Sequence, residues 1–485
     1  REFIMTTVLN NLNPSLVFKY FEEISQIPRG SYNEEQISNY LYNFAKNLNL
    51  EVIQDEHLNI IIKKPATAGY ENCPGVILQG HMDMVCEKNK DVKHDFEKDP
   101  IKLKIVDDMI YADGTTLGAD NGIAVAMSLA ILASNDVSHP SLEVLITSNE
   151  ESGMTGATGL DGGLLNGKYI INLDSEEEGY LLVSCAGGNR SYVTLPLTYK
   201  PIDENKEVLL IELKGLLGGH SGADIIKQRA NSNVTMGRIL NLLDVDYDLV
   251  EINGGSKNNA IPRECEAKIA IDKNQIDTLK NNISEIEKIL KHEFKSTDSG
   301  LEIIVKEATA DKVLNDDCKT KAILLLNLMP NGIQSMSMDI EGLVESSTNL
   351  GVVKTTEGKI SFESAVRSSV ATLRENINNK MKLLADSVGA NFESTDGYPA
   401  WEYAKDSKLE QLCVDVYEKL TGKKPVITAI HAGLECGLLL DKMPGCEAIS
   451  MGPDMFEVHT PNEHLSISSV KNVYEYLLEV LKAMN

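Results

Sequence analysis

Val76-Ile77-Leu78-Gln79-Gly80-His81-Met82-Asp83 opens on an apolar run and ends in side chains able to bind or orient a metal ion. Consecutive aliphatic residues without alternation read as a strand buried on both faces. Side chains i and i+2 of an extended chain point the same way, so His81 and Asp83 share a side. His81 can then ligate through one nitrogen while Asp83 accepts a hydrogen bond from the other, fixing tautomer and basicity. The pattern recurs downstream. An apolar run over 142–147 leads to Glu150-Glu151, one over 169–173 leads to Asp174, and a short one over 448–450 precedes the His459 loop.

Working outward, the first third alternates helical spacing (16–25 and 34–47) with strand-like runs (59–63 and 76–78). A helix over 122–133 is apolar on nearly all sides and is expected to be buried. Doubly buried strands alternating with helices specify an α/β catalytic domain: a mixed, largely parallel sheet with helices on both faces. After residue 188 the texture changes to alternating, more polar strands (191–198, 207–214, 264–271) with amphipathic helices between them. This α+β unit is outlined twice, at 209–220 with 259–263 and at 335–342 with 348–351 and 359–366. From 398 the first texture returns, with a helix over 407–420 stopped by Gly422, a strand over 425–430, the loop His431-Ala-Gly-Leu-Glu435 and a closing helix over 466–484. His459 lies 285 positions after Asp174, so the chain must return to its first domain. The expected organisation is a catalytic domain in two parts, 1–187 and 398–485, interrupted by an inserted α+β domain, 188–397.

Bulk properties narrow the function. The 485 residues suffice for two or three cores. With Asp+Glu 72 against Lys+Arg 46 and a net charge of −26, neither nucleic acid nor an anionic membrane is an expected partner. The apolar stretch 122–133 falls short of the ~20 residues that span a bilayer. Residues 1–4 read as a vector remnant ahead of the natural Met5, with no signal region. Eight scattered cysteines without CxxC pairs read as reduced thiols of a cytoplasmic protein and argue against a thiolate zinc site.

Each candidate has an ordinary reading when taken alone. His-x-Asp recurs by chance, Asp120 could cap the buried helix, and Glu150-Glu151 could be a solvated loop. Together they favour chemistry. Asp120, at the end of the Gly-rich stretch 111–122, can bridge two cations through its two oxygens. Adjacent Glu150 and Glu151 diverge in extended chain, so one can ligate while the other acts as general base. His459 sits at a strand-to-loop point, and His464 lies in a turn before the last helix, which favours His459. Two His and three carboxylates with no thiolate suit a pair of zinc ions, with cobalt or manganese as substitutes.

In Gly80-His81-Met-Asp83, Asp113-Gly-Thr-Thr-Leu-Gly-Ala-Asp120-Asn-Gly, Ser148-Asn-Glu150-Glu151-Ser-Gly and Asn172-Leu-Asp174-Ser-Glu-Glu the chain resembles the M20 family of metallopeptidases. Gly218-Gly-His220-Ser-Gly222, Asn259-Ala-Ile-Pro-Arg263 and His431-Ala-Gly-Leu-Glu435 bring it nearest the aminoacyl-histidine dipeptidase branch, also called peptidase D or Xaa-His dipeptidase. The resemblance covers nearly the whole chain from Leu16. It implies that His81 and Asp174 hold one zinc, Glu151 and His459 the other, and Asp120 both. Glu150 would be the general base toward metal-activated water, and Asp83 the partner of His81. The inserted domain would act as a lid and dimer interface, with His220 stabilising the oxyanion and Asn259 and Arg367 contacting the peptide substrate. Read from the residues alone, His220 is a loop histidine and Arg367 a surface residue. In the lid, repeat spacing makes Asn258 a rival to Asn259, and the loop 433–435 has no assigned role. The same architecture also accommodates a tripeptidase, an N-acyl amino acid deacylase or an inactive metal-binding protein.

Overall fold

The computed structural model describes residues 7–395 and 397–485, so the expected remnant at 1–4 and Met5 lie outside the described residues. The chain divides into two compact units: 1–184 with 403–429 and 434–485, and 185–402 with 430–433.

The first unit is built on an eight-stranded sheet. Its strands are β1 (Glu51–Gln54), β2 (Ile60–Lys64), β3 (Val76–His81), β4 (Leu142–Thr147), β5 (Tyr169–Asn172), β6 (Tyr180–Cys185), β7 (Val426–Ile430) and β8 (Glu447–Ser450). They lie side by side as β1-β2-β4-β3-β5-β8-β6-β7. The central four, β4, β3, β5 and β8, run parallel, and antiparallel pairings flank them. Every residue of β3 and β4 is buried, as expected for strands covered on both faces.

Helices α1 (Ser15–Ser25), α2 (Glu35–Asn47), α3 (Ala119–Ala133), α4 (Lys408–Thr421), α5 (Glu435–Lys442) and α6 (Ile467–Lys482) supply the cover. The expected buried helix is α3, lined by Ile123, Val125, Met127, Leu129 and Ile131 among others. Its start differs from the capping alternative: Gly118 takes the N-cap position, and Asp120 leaves helical geometry at φ −78°, ψ 105°. The partners of the Asp120 carboxylate are imidazoles rather than helix amides: Oδ1 bonds His81 Nε2 at 3.1 Å and Oδ2 bonds His459 Nε2 at 2.9 Å. At the other end of the chain α4 follows the sequence signals, with Ser407 accepting the Glu410 amide and Gly422 closing it at φ 72°.

A four-stranded ribbon brings the last loop back to the first third. Residues Met109–Ala112 pair with His464–Ser466, which also pair with Met455–Phe456, so the His459 loop and the Asp120 loop grow from one small sheet.

The second unit carries a nine-stranded antiparallel sheet whose central members include Lys206–Lys214, Tyr247–Gly254, Cys265–Asp272, Val344–Thr356 and Lys359–Ser368. Strands from both outlined copies enter this one sheet. Helices Ser232–Leu242, Ile276–Glu293 and Asp316–Leu328 pack over it around Met236, Leu249, Ile269, Leu279, Leu325 and Phe362. Among the described residues no helix is long and apolar enough to cross a membrane. Among the described residues no disulfide bond joins any of the cysteines.

Candidate metal centre

Parallel strands deliver their C-terminal ends to one side of a sheet, and those ends carry the acidic and imidazole groups here. β3 ends at His81, β4 leads to Glu150 and Glu151, and β5 to Asp174. His81 Nε2 lies 3.1 Å from Asp120 Oδ1, 3.5 Å from Asp174 Oδ1 and 4.0 Å from Glu150 Oε2. His459 Nε2 lies 2.9 Å from both Asp120 Oδ2 and Glu151 Oε1. The two oxygens of Asp120 thus face different imidazoles.

Ligand atoms converge within 4.8 Å in three groups: His81, Asp120 and Asp174; Asp120, Glu151 and His459; and His81, Glu150 and Glu151. All five expected ligands fall in the first two groups, which share Asp120. His464 belongs to none of the three and is stacked between Tyr111 and Phe456, with ring centroids at 4.7 and 5.0 Å.

The electrostatics test whether this donor set suits cations. Burial, and then the nearby carboxylates of Asp174, Glu435 and Glu151, lifts the Glu150 carboxyl well above its usual range. Burial likewise raises Asp174 to about 6 and Glu435 to about 7. Hydrogen bonds to Asp120 and Glu151 push His459 up to about 11. For His81, burial opposes the charge but the Asp174, Asp120 and Asp83 carboxylates outweigh it. Asp120 is shifted the other way: burial opposes this, but its hydrogen bonds to the His459 and His81 imidazoles hold it low. The upward shifts of the surrounding carboxyl groups and of both imidazoles mark a site crowded with negative charge. All-oxygen and imidazole donors, two sets sharing one carboxylate, fit a pair of borderline divalent cations.

Buried partners fix these groups. Asp83 is wholly buried and accepts from Ser31 Oγ (2.8 Å), the Glu150 amide (3.0 Å) and the Glu151 amide (3.2 Å), with His81 Nδ1 at 3.2 Å. It therefore holds the β4 loop as well as the imidazole. Asn121 accepts from the His81 amide (3.1 Å) and donates to the Leu173 carbonyl (2.9 Å), joining the ends of β3 and β5. Gly80 makes that approach possible, because a Cβ there would collide with Asn121 Oδ1 and Ala124. Beneath the ligands, Glu435 accepts from Gln79 Nε2 (2.6 Å) and Thr147 Oγ1 (2.8 Å), and Gln79 in turn accepts from Asn172. Asn121 and this network went unread in the sequence. Gln79, Thr147 and Asn172 look like polar interruptions of apolar strands, and that was the one available signal.

His220, Asn259 and Arg367 belong to the second unit. His220 Nδ1 accepts from the Gly222 (3.2 Å) and Ala223 (3.1 Å) amides, which leaves the proton of a neutral ring on Nε2. Partial burial and the Arg367 charge depress its pKa, favouring that neutral ring. Arg367 corrects the surface reading: it is buried, at 8% exposure, and donates to Tyr398 Oη at 2.9 Å. The error has a physical cause, since residues 364–368 end a strand covered on both faces and alternation no longer reports exposure. Arg367, Tyr398, Asn258 and Asn259 line one cleft, so both asparagines of the ambiguous pair face it. His431, from the loop of the first texture, also belongs to this unit and bonds Ser347 Oγ at 2.7 Å.

A parallel-stranded α/β unit with acidic and imidazole groups at its strand ends defines a metallohydrolase architecture, and comparison with known proteins agrees. The chain belongs to peptidase family M20/M25/M40, whose sequence profile matches residues 77–483. It is 40% identical over 477 residues, 98% of each chain, to the cytosol non-specific dipeptidase of Escherichia coli (strain K12). Its structure is similar to the crystal structure of aminoacylhistidine dipeptidase from Vibrio alginolyticus, with TM-score 0.94, 38% identity and 99% of each chain covered. Aminopeptidase PepT from Bacillus cereus shares the fold at TM-score 0.57 and 17% identity, covering 98% of this chain and 99% of its own.

Proposed function

We propose that this chain is a cytoplasmic di-zinc dipeptidase acting on Xaa-His dipeptides such as β-alanyl-histidine, with cobalt or manganese as substitute metals. The observation that carries the reading is Asp120, whose two oxygens face His81 at 3.1 Å and His459 at 2.9 Å. The likeness to a dipeptidase along nearly the whole chain supports the substrate class.

In this reading His81 and Asp174 hold one ion, Glu151 and His459 the other, and Asp120 both. Bound there, the cations would supply Lewis acidity toward a peptide carbonyl and acidify a water molecule. Asp83 keeps the His81 ring and the Glu150-Glu151 backbone in place. Glu150, left outside both ligand sets, takes a proton from the attacking water and passes it to the leaving amine. His220, neutral and protonated on Nε2, offers a donor to the developing oxyanion. Arg367 pairs with the substrate carboxylate and Asn259 contacts the peptide. The segment 188–397 serves as a lid and as the surface of a homodimer, between catalytic parts 1–187 and 398–485.

Metal analysis of protein purified without chelator, together with hydrolysis of β-alanyl-histidine and leucyl-histidine, tests the proposal. Two zinc per chain and chelator-sensitive turnover are expected. Two metals with turnover only of tripeptides or acylated amino acids would replace the dipeptidase reading. Glu150→Ala should retain both metals and lose nearly all turnover, and near-normal activity would remove Glu150 as the base.

A further inference from the structure

Three loops must agree in position for the Asp120 arrangement to exist: the one after β3, the one before α3 and the one carrying His459. Glu463, four residues past His459, is 2% exposed and places its carboxylate against four consecutive amides of the second loop. Oε2 accepts from Leu117 (2.8 Å) and Gly118 (3.1 Å), and Oε1 from Ala119 (2.8 Å) and Asp120 itself (3.3 Å). Successive backbone N–H groups turned toward one point form an anion-binding nest, and here a side chain of the His459 loop fills it.

Arg29 completes the connection. Its fully buried guanidinium donates to the Met82 carbonyl at 3.0 Å and to the Gly118 carbonyl at 2.5 Å, joining the loop after β3 to the loop before α3. The Glu463, Asp83 and Asp120 carboxylates balance its charge. Gly118, at φ 69°, and Gly122 leave the space it occupies, since a Cβ on either would strike Nη2. Neither Arg29 nor Glu463 belongs to any of the three convergent ligand groups.

We propose that Glu463 is the positioning residue for Asp120: its carboxylate, seated in the nest of amides 117–120 and tied through Arg29 to the loop after β3, fixes the orientation that lets Asp120 serve two ions. This rests on the proposed di-metal reading. A carboxylate that bridges must present its two oxygens in two set directions, and a free loop would let it rotate to satisfy one partner only. Glu463 itself touches neither substrate nor ion. Its effect is read in the binding of the second equivalent of metal.

The test is a Co²⁺ titration of the full chain, followed by visible absorption and calorimetry, on the parent, Glu463→Gln, Glu463→Asp and Asp298→Asn. Asp298 is an equally buried carboxylate that accepts the Leu217 and Ala230 amides of the second unit, so it controls for lost stability alone. The parent and Asp298→Asn should bind two equivalents. Glu463→Gln turns an NH₂ toward backbone N–H groups, and Glu463→Asp withdraws the charge by one methylene. Each should bind the second equivalent about 10–100-fold more weakly and change the cobalt spectrum. If the parent binds two ions and the Glu463 variants match it, the positioning role is overturned while the di-metal reading stands. If the parent itself binds none, the di-metal reading fails first. If both Glu463 variants fail to fold while Asp298→Asn folds, the carboxylate is structural and the proposal falls.

Discussion

Replacing Asp83 by Asn probes the coupling between His81 and the Glu150-Glu151 backbone. The carboxylate is wholly buried; Oδ1 faces His81 Nδ1 and the Glu150 amide, and Oδ2 faces Ser31 and the Glu151 amide. An amide of the same size keeps one oxygen and presents an NH₂ at the other position. With the oxygen on the His81 side, Ser31 can rotate to accept, and a single clash remains, between the new NH₂ and the Glu151 N–H. The reverse orientation opposes two fixed donors unless the imidazole changes tautomer, so the first is favoured. Losing one amide bond to a charged acceptor costs about 1.5–3 kcal/mol of stability. Removing the negative partner of a ligating imidazole should weaken metal binding roughly 10–100-fold, or about 1.4–2.7 kcal/mol. Competition with a chromophoric chelator measures the second quantity and scanning calorimetry the first. A variant that binds zinc within about twofold of the parent would refute the claim that Asp83 sets the imidazole.

His431 is buried with its pKa lowered to about 4, by burial and then by the Arg367 charge, against an ordinary value of 6.5. The unfolded chain therefore binds the extra proton first, so stability present above pH 6.5 is lost as the pH falls toward 4. The loss between pH 7.5 and 4.5 should be about 2–3 kcal/mol larger in the parent than in His431→Gln, measured by urea unfolding, and equal pH dependence would contradict it. Gly80→Ala sets a Cβ against Asn121 and Ala124 and should cost about 1–3 kcal/mol while weakening metal uptake; unchanged thermal unfolding would show that α3 can withdraw. Asp108 accepts from Ser466 Oγ (2.8 Å), Ser468 Oγ (2.6 Å) and the Ser468 amide (3.1 Å) at the start of α6. Asp108→Ala should lower stability by about 1 kcal/mol with no change in metal content.

The parts legible in the sequence obey local rules. β3 and β4 announce themselves because strands buried on both faces are mostly aliphatic and do not alternate with polar residues, and α3 because a helix buried on all sides cannot be amphipathic. His81, Glu150, Glu151 and Asp174 were readable because each stands where such an apolar run stops. Glu463 and Arg29 were not readable, because they act on backbone groups 343 to 346 and 53 to 89 positions away, and no local pattern records a partner that is a distant amide or carbonyl. Asp120 lay between these cases: its acidity was visible, but its pairing with His459, 339 positions away, leaves no local pattern. Arg367 failed for a third reason, since a polar residue in an alternating strand is exposed only where one face meets water.

The parallel pairing of β5 with β8 has a consequence for synthesis. Tyr169 registers with Glu447, so the whole second unit is translated between two neighbouring strands. At about 5–20 residues per second, the ribosome needs roughly 15–60 s to supply β8 after β5 has emerged. During that interval the apolar edge of β5 has no partner, and the emerging chain carries three carboxylate-bearing loops without the imidazole of His459. The nascent chain therefore cannot bring His459 to Asp120 until residue 459 has left the ribosome, and it must keep an unpaired strand from meeting another chain until then.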